Sequence, residues 1–227
     1  MISASLIVEA LPALARGAGT TLYISAGAGI AALMVGAALG ALRTSRFAVL
    51  RAAALLYIDI MRGIPLLVLI LIAFYVLPSS GLMLDPAATG IAALAAYYAA
   101  YVAEVIRGAL QAIPGGQREA AMMIGMTRAQ IVWRVVLPQA LGLMLPPLGG
   151  LLIGLVKESA LLSVISVTEL TFEAKQAVSR TYAPFEIYAV AALGYWALTS
   201  LVEFTARWME HRATQHRPAS ADHGGHQ

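Results

Sequence analysis

The sequence predicts an all-α integral membrane protein with five transmembrane helices, its N-terminus outside and its C-terminus in the cytosol. Three observations predict it. Of 227 residues, 60% are hydrophobic and only 12% charged, too little polar surface to cover a soluble globule. The apolar residues come in long runs rather than in amphipathic stripes. The arginines cluster between those runs, the pattern that sets membrane orientation. A net charge of +3 therefore reads as topology and not as a nucleic-acid surface, and the lack of cysteine excludes disulfides, thiol catalysis and Cys-based metal sites.

The first run, Thr20 to Leu42, carries no charge over 23 residues, and at ~1.5 Å per residue it outreaches the ~30 Å hydrocarbon core. Residues 1–18 offer Glu9 and Arg16 instead of a basic start, so they read as an extracytoplasmic segment and not as a cleaved signal. Phe47 to Ile60 contains Arg51 and Asp59 and reads as an interfacial helix leading into a second span from about Ile58 to Leu77. Pro78-Ser79-Ser80-Gly81 breaks that span. The third runs from Pro86 to Val105, and the fourth from Leu141 to about Leu162, interrupted by Pro146-Pro147, Gly149-Gly150 and Lys157-Glu158. Tyr188 to Phe204 is the fifth, ending at Arg207. Residues 209–227 read as a disordered cytosolic tail, whose histidines His211, His216, His223 and His226 form no expected metal site.

Orientation follows from the arginines. One side collects Arg43, Arg46, Arg51, Arg62, Arg107, Arg118, Arg128, Arg134, Arg207, Arg212 and Arg217; the other has Arg16, Lys175 and Arg180 among Glu9, Asp85, Glu169 and Glu173. The first side is the cytosolic one.

The connection between the third and fourth spans, about 115–138, is far longer than the ~2–8 residues that adjacent helices need. Pro114-Gly115-Gly116 opens it, and Gln117 to Ile124 has good helix formers with Glu119 in the first turn. Gly125 suits the left-handed position that ends a helix, while Thr127 and Gln130 make a capping box for a second helix, Arg128 to Leu137, closed by Pro138. Membrane spans on both sides keep this helix-turn-helix from a DNA groove, leaving a packed hairpin or a docking surface for a soluble partner.

Asp59-x-x-Arg62 and Glu104-x-x-Arg107 each place an acid and an arginine three apart on one helix face. Each is either a snorkelling anchor or part of a polar path. Arg62, just before Gly63-Ile64-Pro65, favours the path. Lys157 and Glu158 lie too deep for a cytosolic interface pair, and with Ser159 or Ser163 they match the ammonium and carboxylate of a free amino acid. A structural pair at the outer surface is the other reading. Tyr97, Tyr98 and Tyr101 share nearly one face, for cation stacking or for packing. No Gly-rich, Lys-bearing phosphate loop occurs, so the chain is expected to bind neither ATP nor another cofactor and not to be an enzyme.

Glu119-Ala120-Ala121, Gly125 and Leu137-Pro138 resemble the EAA loop of ABC importer permeases. Tyr97 to Leu141, including Glu104, Arg107-Gly108, Gly116-Gln117 and Leu137-Pro138-Gln139-Ala140, resembles the polar amino acid branch of that family, as do Thr20-Thr21-Leu22, Tyr57 to Pro65 and Lys157 to Leu161. The likeness covers Gly17 to about Arg207. It implies a type I ABC importer permease fold in a bacterial cytoplasmic membrane, working beside a second permease, an ATPase dimer that holds ATP and magnesium, and an extracytoplasmic binding protein. It assigns ATPase coupling to Glu119, Ala120, Ala121, Gly125, Leu137 and Pro138, with Ala120 and Ala121 keeping the surface low. Arg62, Asp59, Tyr98, Lys157, Glu158 and Ser159 form the candidate substrate path. Three positions depart from the branch: Asp59 replaces a usual Glu, Gly149-Gly150 lies where an Asn is usual, and Ala160 replaces a usual Ser. The competing class is an ion-gradient carrier, which leaves the long capped hairpin without a purpose.

Overall fold

The computed structural model describes residues 4–214, all helix, turn and loop with no strand among them. Helix α1 runs Ala4–Arg43, so the helix of the first span begins well before Thr20 and absorbs Pro12. Helix α2, Ala48–Gly63, ends because Pro65 supplies no N–H and keeps Ile64 extended at φ −98°, ψ 133°. Helix α3, Leu66–Leu71, continues through a π-turn at Ile72–Val76 and a 3₁₀ turn at Leu77–Ser80. The bend between α2 and this segment is 106°, and the two qualify as a membrane span only together. The expected second span from Ile58 is therefore corrected: Ile58 belongs to α2, and the chain turns sharply at Ile64-Pro65.

Helix α4, Pro86–Gln111, starts under an Asp85 cap that accepts the amides of Ala87 and Ala88 at 2.9 and 3.0 Å, with Pro86 in the first turn. Helix α5 is Gly115–Met123 and α6 is Arg128–Ile131. A π-turn, Val132–Val136, joins α6 to α7, Leu137–Glu158, and a 3₁₀ segment follows at Ser159–Ile165. Helix α8 is Leu170–Thr181 and α9 is Pro184–Thr214. Four helical stretches are long and apolar enough to cross a bilayer, and the bent α2–α3 pair makes five. The tail expected from 209 is helical through Thr214; His216, His223 and His226 lie outside the described residues.

Two corrections concern proline. Pro138 does not end the hairpin, because the π-turn shifts the bonding so that Leu137 N–H donates to Val132, and the side chain of Gln139 donates to the Val135 carbonyl at 2.7 Å. Pro146-Pro147 likewise sit inside an unbroken α7. Arg128 to Ile165 is thus one 38-residue helical stretch.

Small residues set the packing. A Cβ on Gly36 of α1 would lie 2.5 Å from Val102 Cγ1 and 2.8 Å from the Ala99 carbonyl of α4, so the two helices meet at backbone distance. Ile24, Ala28 and Ala32 of α1 extend that contact against Leu94 and Tyr98 of α4, joined by Leu155 of α7 and Leu162. A second cluster joins Ala10 and Leu14 to Val156, to Leu170 and Ala174 of α8, and to Ile187 and Ala191 of α9. Helix α8 is too short and amphipathic to form an apolar run, and it packs on α1 and α9 at the end opposite the arginine-rich one.

Glu169 anchors that end. It is fully buried, caps α8 by accepting the amides of Thr171 and Phe172, each at 2.8 Å, and receives the Tyr195 hydroxyl at 2.6 Å. Thr21 of α1 accepts the Leu170 amide at 3.2 Å, and Gly17 lets α1 approach so closely that a Cβ there would be 2.9 Å from Leu170 Cα. Burial raises the Glu169 carboxyl above its ordinary 4.5, outweighing the bonds that favour the ionised form. A raised value means the folded chain holds this proton more tightly than the unfolded chain does. Its contribution to stability is full below 4.5 and is lost as pH rises through the raised folded-state value. Thermal unfolding across that window should show a decline in the wild type that Glu169→Gln flattens; parallel profiles would remove Glu169 as its source.

Candidate functional site

Two regions carry chemistry, the hairpin and a polar array on α4. The hairpin folds as its local sequence dictates. Pro114 precedes α5, and Gly125 adopts φ +83° after it. The Gly125 amide donates to the Met122 carbonyl at 3.0 Å and the Met126 amide to the Ala121 carbonyl at 3.1 Å, the paired bonds of a Schellman turn. Thr127 and Gln130 form the expected capping box, with the Thr127 amide donating to Gln130 Oε1 at 2.8 Å.

Packing orients what this hairpin presents. Ala121 is buried with Ile113, Ile131 and Val136, so its smallness serves the joint between α5 and α6. That corrects the expectation of a low outer surface at Ala121; Ala120, Glu119 and Pro138 are exposed, and Leu137 is half-buried. The hairpin leaves Met123 88%, Ile124 78% and Trp133 70% exposed, large apolar side chains that no described residue of this chain covers.

The second region gathers Tyr98, Glu158 and Arg62. Tyr98, buried on α4, donates its hydroxyl to Glu158 Oε2 at 2.8 Å. Gly154 makes this possible, because a Cβ there would stand 3.0 Å from the Tyr98 oxygen. The Tyr97 and Tyr101 hydroxyls lie 3.0 Å apart, and the three rings sit 5.1–6.2 Å from one another. Arg62, at the C-terminal turn of α2, places its guanidinium 5.8 Å from the centre of the Tyr101 ring. A carboxylate, three aromatic hydroxyls and a cation thus follow one face of α4.

Other predicted members lie elsewhere. Asp59 is exposed and makes no ion pair with Arg62, which turns to Tyr101 instead. Lys157 is exposed on this chain although Glu158 turns inward, since neighbours on a helix point about 100° apart. Its expected place inside the bundle is corrected accordingly. Ser159 is fully buried and donates to the Val156 carbonyl at 2.8 Å, which commits its hydroxyl to the helix end. Ser163 accepts from Lys175 at 2.8 Å. Glu104 bonds Arg107 at 2.8 Å, as the spacing indicates, and also Arg43 from α1, a partner that spacing along one helix cannot reveal. In the sequence Gly154 shows only as part of the Gly150-x-x-x-Gly154 spacing that allows close helix approach. No group of acids and histidines able to hold a metal occurs among the described residues.

A bundle of membrane spans, the second bent by 106°, with a capped hairpin at its arginine-rich end defines a multispan membrane protein. Residues 30–215 match the family described as binding-protein-dependent transport system inner membrane component, and the chain belongs to that family. It is 34% identical over 210 residues to the glutamine transport system permease protein GlnP of Escherichia coli (strain K12), covering 92% of this chain and 96% of that one. It is also 34% identical to the probable amino-acid ABC transporter permease protein YckA of Bacillus subtilis (strain 168), covering 88% and 89%. Among solved structures, that of an amino acid ABC transporter with histidines aligns with a TM-score of 0.87 at 34% identity, covering 93% of this chain and 99% of that one. The MetNI methionine ABC transporter, at 23% identity and a TM-score of 0.74, shares the fold. These findings favour an ABC permease over an ion-gradient carrier.

The Tyr98–Glu158 bond depends on a missing side chain. Gly154→Val should displace the Tyr98 hydroxyl and lower the thermal stability of the full-length chain by about 1–3 kcal/mol, with Tyr98→Phe relieving part of the loss. Equal losses with and without Tyr98→Phe would show that the two positions are not coupled.

Proposed function

We propose that this chain is the permease subunit of an ATP-driven importer for polar amino acids, working in a bacterial cytoplasmic membrane. The observation that carries the substrate class is the array on α4. Glu158 offers an acceptor for an ammonium, Arg62 a donor for a carboxylate, and from Tyr98 to Tyr101 the helix rises roughly 4.5 Å, a spacing suited to a small zwitterion. The names of the relatives, which specify amino acids and glutamine, support the same class.

Topology and partners complete the reading. The arginine-rich end faces the cytosol, with the N-terminus outside and the C-terminus inside. There the exposed Met123, Ile124 and Trp133 of the hairpin dock into a separate ATPase subunit, which holds ATP and magnesium, while Glu119 contacts its rim. A second permease packs beside this one to close the path, and Lys157, turned out of the single-chain bundle, is available to it. An extracytoplasmic binding protein delivers the amino acid to the end covered by α8.

Two experiments test this. Glu158→Gln and Arg62→Ala should each raise the KM for amino acid uptake about tenfold or more, the scale of losing one charge-assisted hydrogen bond, with membrane insertion unchanged. An unaltered concentration dependence removes the residue from the path. For coupling, Gly125→Val places a β-branched residue at φ +83°, where L-residues are disfavoured by about 1–2 kcal/mol. Substrate-stimulated ATPase activity of the assembled importer should be lost while the permease still inserts; stimulation at the wild-type level would overturn the role of the turn.

A further inference from the structure

We propose that the arginine-rich end carries a binding site for one anionic phospholipid, its phosphate held among Arg43, Arg51, Arg107 and Arg118 and an acyl chain laid between α1, α4 and α7. Its assignment to the cytosolic leaflet rests on the topology proposed above. The site does not use the hairpin tip or the array on α4.

A cavity of about 450 Å³ opens where the end of α1, the start of α2, the end of α4 and the start of α5 meet. Each of these elements contributes one arginine to its wall. One carboxylate, Glu104, bonds Arg43 and Arg107. The hydrogen bonds that Arg51 and Arg118 make go to backbone carbonyls, those of Ser45 at 3.4 Å and Leu110 at 3.3 Å. Four guanidinium groups facing one carboxylate leave a strongly positive recess, which favours an anion, and guanidinium suits phosphate oxygens through paired N–H bonds.

The neighbouring cavity decides which anion. A groove of about 390 Å³ lies against the basic recess, and Gly40, Thr44 and Leu110 line both. Its walls are apolar, including Leu33 and Ala37 of α1, Ile106 of α4, and Leu141 and Met144 of α7. Gly40 stands at the junction, where a Cβ would meet Ile106 Cγ2 at 3.2 Å. A free phosphate uses only the recess, and an acyl chain alone uses only the groove. A phosphodiester bearing hydrocarbon fits both, and the bilayer supplies it beside the opening.

The full-length chain, stripped of lipid in uncharged detergent, provides the test. Phosphatidylglycerol in mixed micelles should raise its unfolding temperature, whereas phosphatidylcholine and inorganic phosphate at equal concentration should not. Arg51→Gln combined with Arg118→Gln leaves the Glu104 pairs intact and should raise the half-saturating phosphatidylglycerol concentration about tenfold or more. Ala37→Trp, at an exposed groove position, should do the same by filling the acyl channel. A phosphate response equal to that of phosphatidylglycerol and indifferent to Ala37→Trp would identify a free-anion site and overturn the lipid. An undiminished phosphatidylglycerol response in the double variant would overturn the site. Should the double variant not fold, native mass spectrometry of the wild type decides: retained anionic lipid, displaced by Ala37→Trp, supports the proposal. A lipid-free dimer that Ala37→Trp disrupts would give the groove to a second copy and overturn it.

Discussion

The backbone-distance approach of α1 and α4 is the constraint on which the other features depend. In a bilayer, lipid is as apolar as leucine, so helices associate through close packing and not through burial from water. Gly36 supplies the closest point, and Ala28, Ala32, Ala99 and Ala100 extend it along the two helices. Helix α4 is thereby fixed as the central post. One stretch of it meets α1, another holds the tyrosines toward α7 and Arg62, and its C-terminal turn packs Ala109 with the hairpin residues Ala121 and Ile131.

Polar groups are placed where this post can satisfy them. A charge within hydrocarbon costs about 2.5–3.5 kcal/mol on insertion scales, so each needs a partner or an opening to water. Glu104 on α4 has two arginines, Arg43 from α1 and Arg107 from α4 itself. Glu158 differs. Its bond comes from a neutral tyrosine, which leaves the charge itself uncompensated by any cation among the described ion pairs. A carboxylate held in that way is suited to a visiting ammonium, which is why it carries the substrate proposal ahead of the better-neutralised Glu104.

What was legible in the sequence was local, and what was missed was set by distance or by backbone register. The Gly125 turn and the Thr127–Gln130 box involve neighbours along the chain, so residue type alone determined them. The i,i+3 pair of Glu104 and Arg107 was read for the same reason. Asp59–Arg62 shares that spacing but forms no ion pair, and the guanidinium lies instead 5.8 Å from the Tyr101 ring of another helix. In α-helical register Pro138 predicts a stop, since its missing N–H and its ring both oppose continuation; a π-turn removes that conflict. Helix α8 carries no apolar run because only one of its faces is buried, with Leu170, Ala174 and Ala177. Lys157 and Glu158 form one polar pair in sequence but point to different surroundings on α7.

The register shift at Val132–Val136 also has a mechanical consequence. Had Pro138 ended the hairpin, its second arm would hang from α7 by a flexible joint, and a push at the tip would dissipate there. Instead one helical stretch runs from Arg128 at the hairpin to Glu158 in the array, roughly 45 Å at ~1.5 Å per residue. On the proposed coupling, the ATPase moves the arm at one end and the Glu158–Tyr98 bond responds at the other. The points where that rod can curve while staying helical are Pro138 with its π-turn and Pro146-Pro147, where helix bonds are missing. The array on α4 stays with α1 because their contact has no slack. Displacement of α7 is then spent between Glu158 and Tyr98, which frees the carboxylate proposed to hold the substrate ammonium from its tyrosine donor.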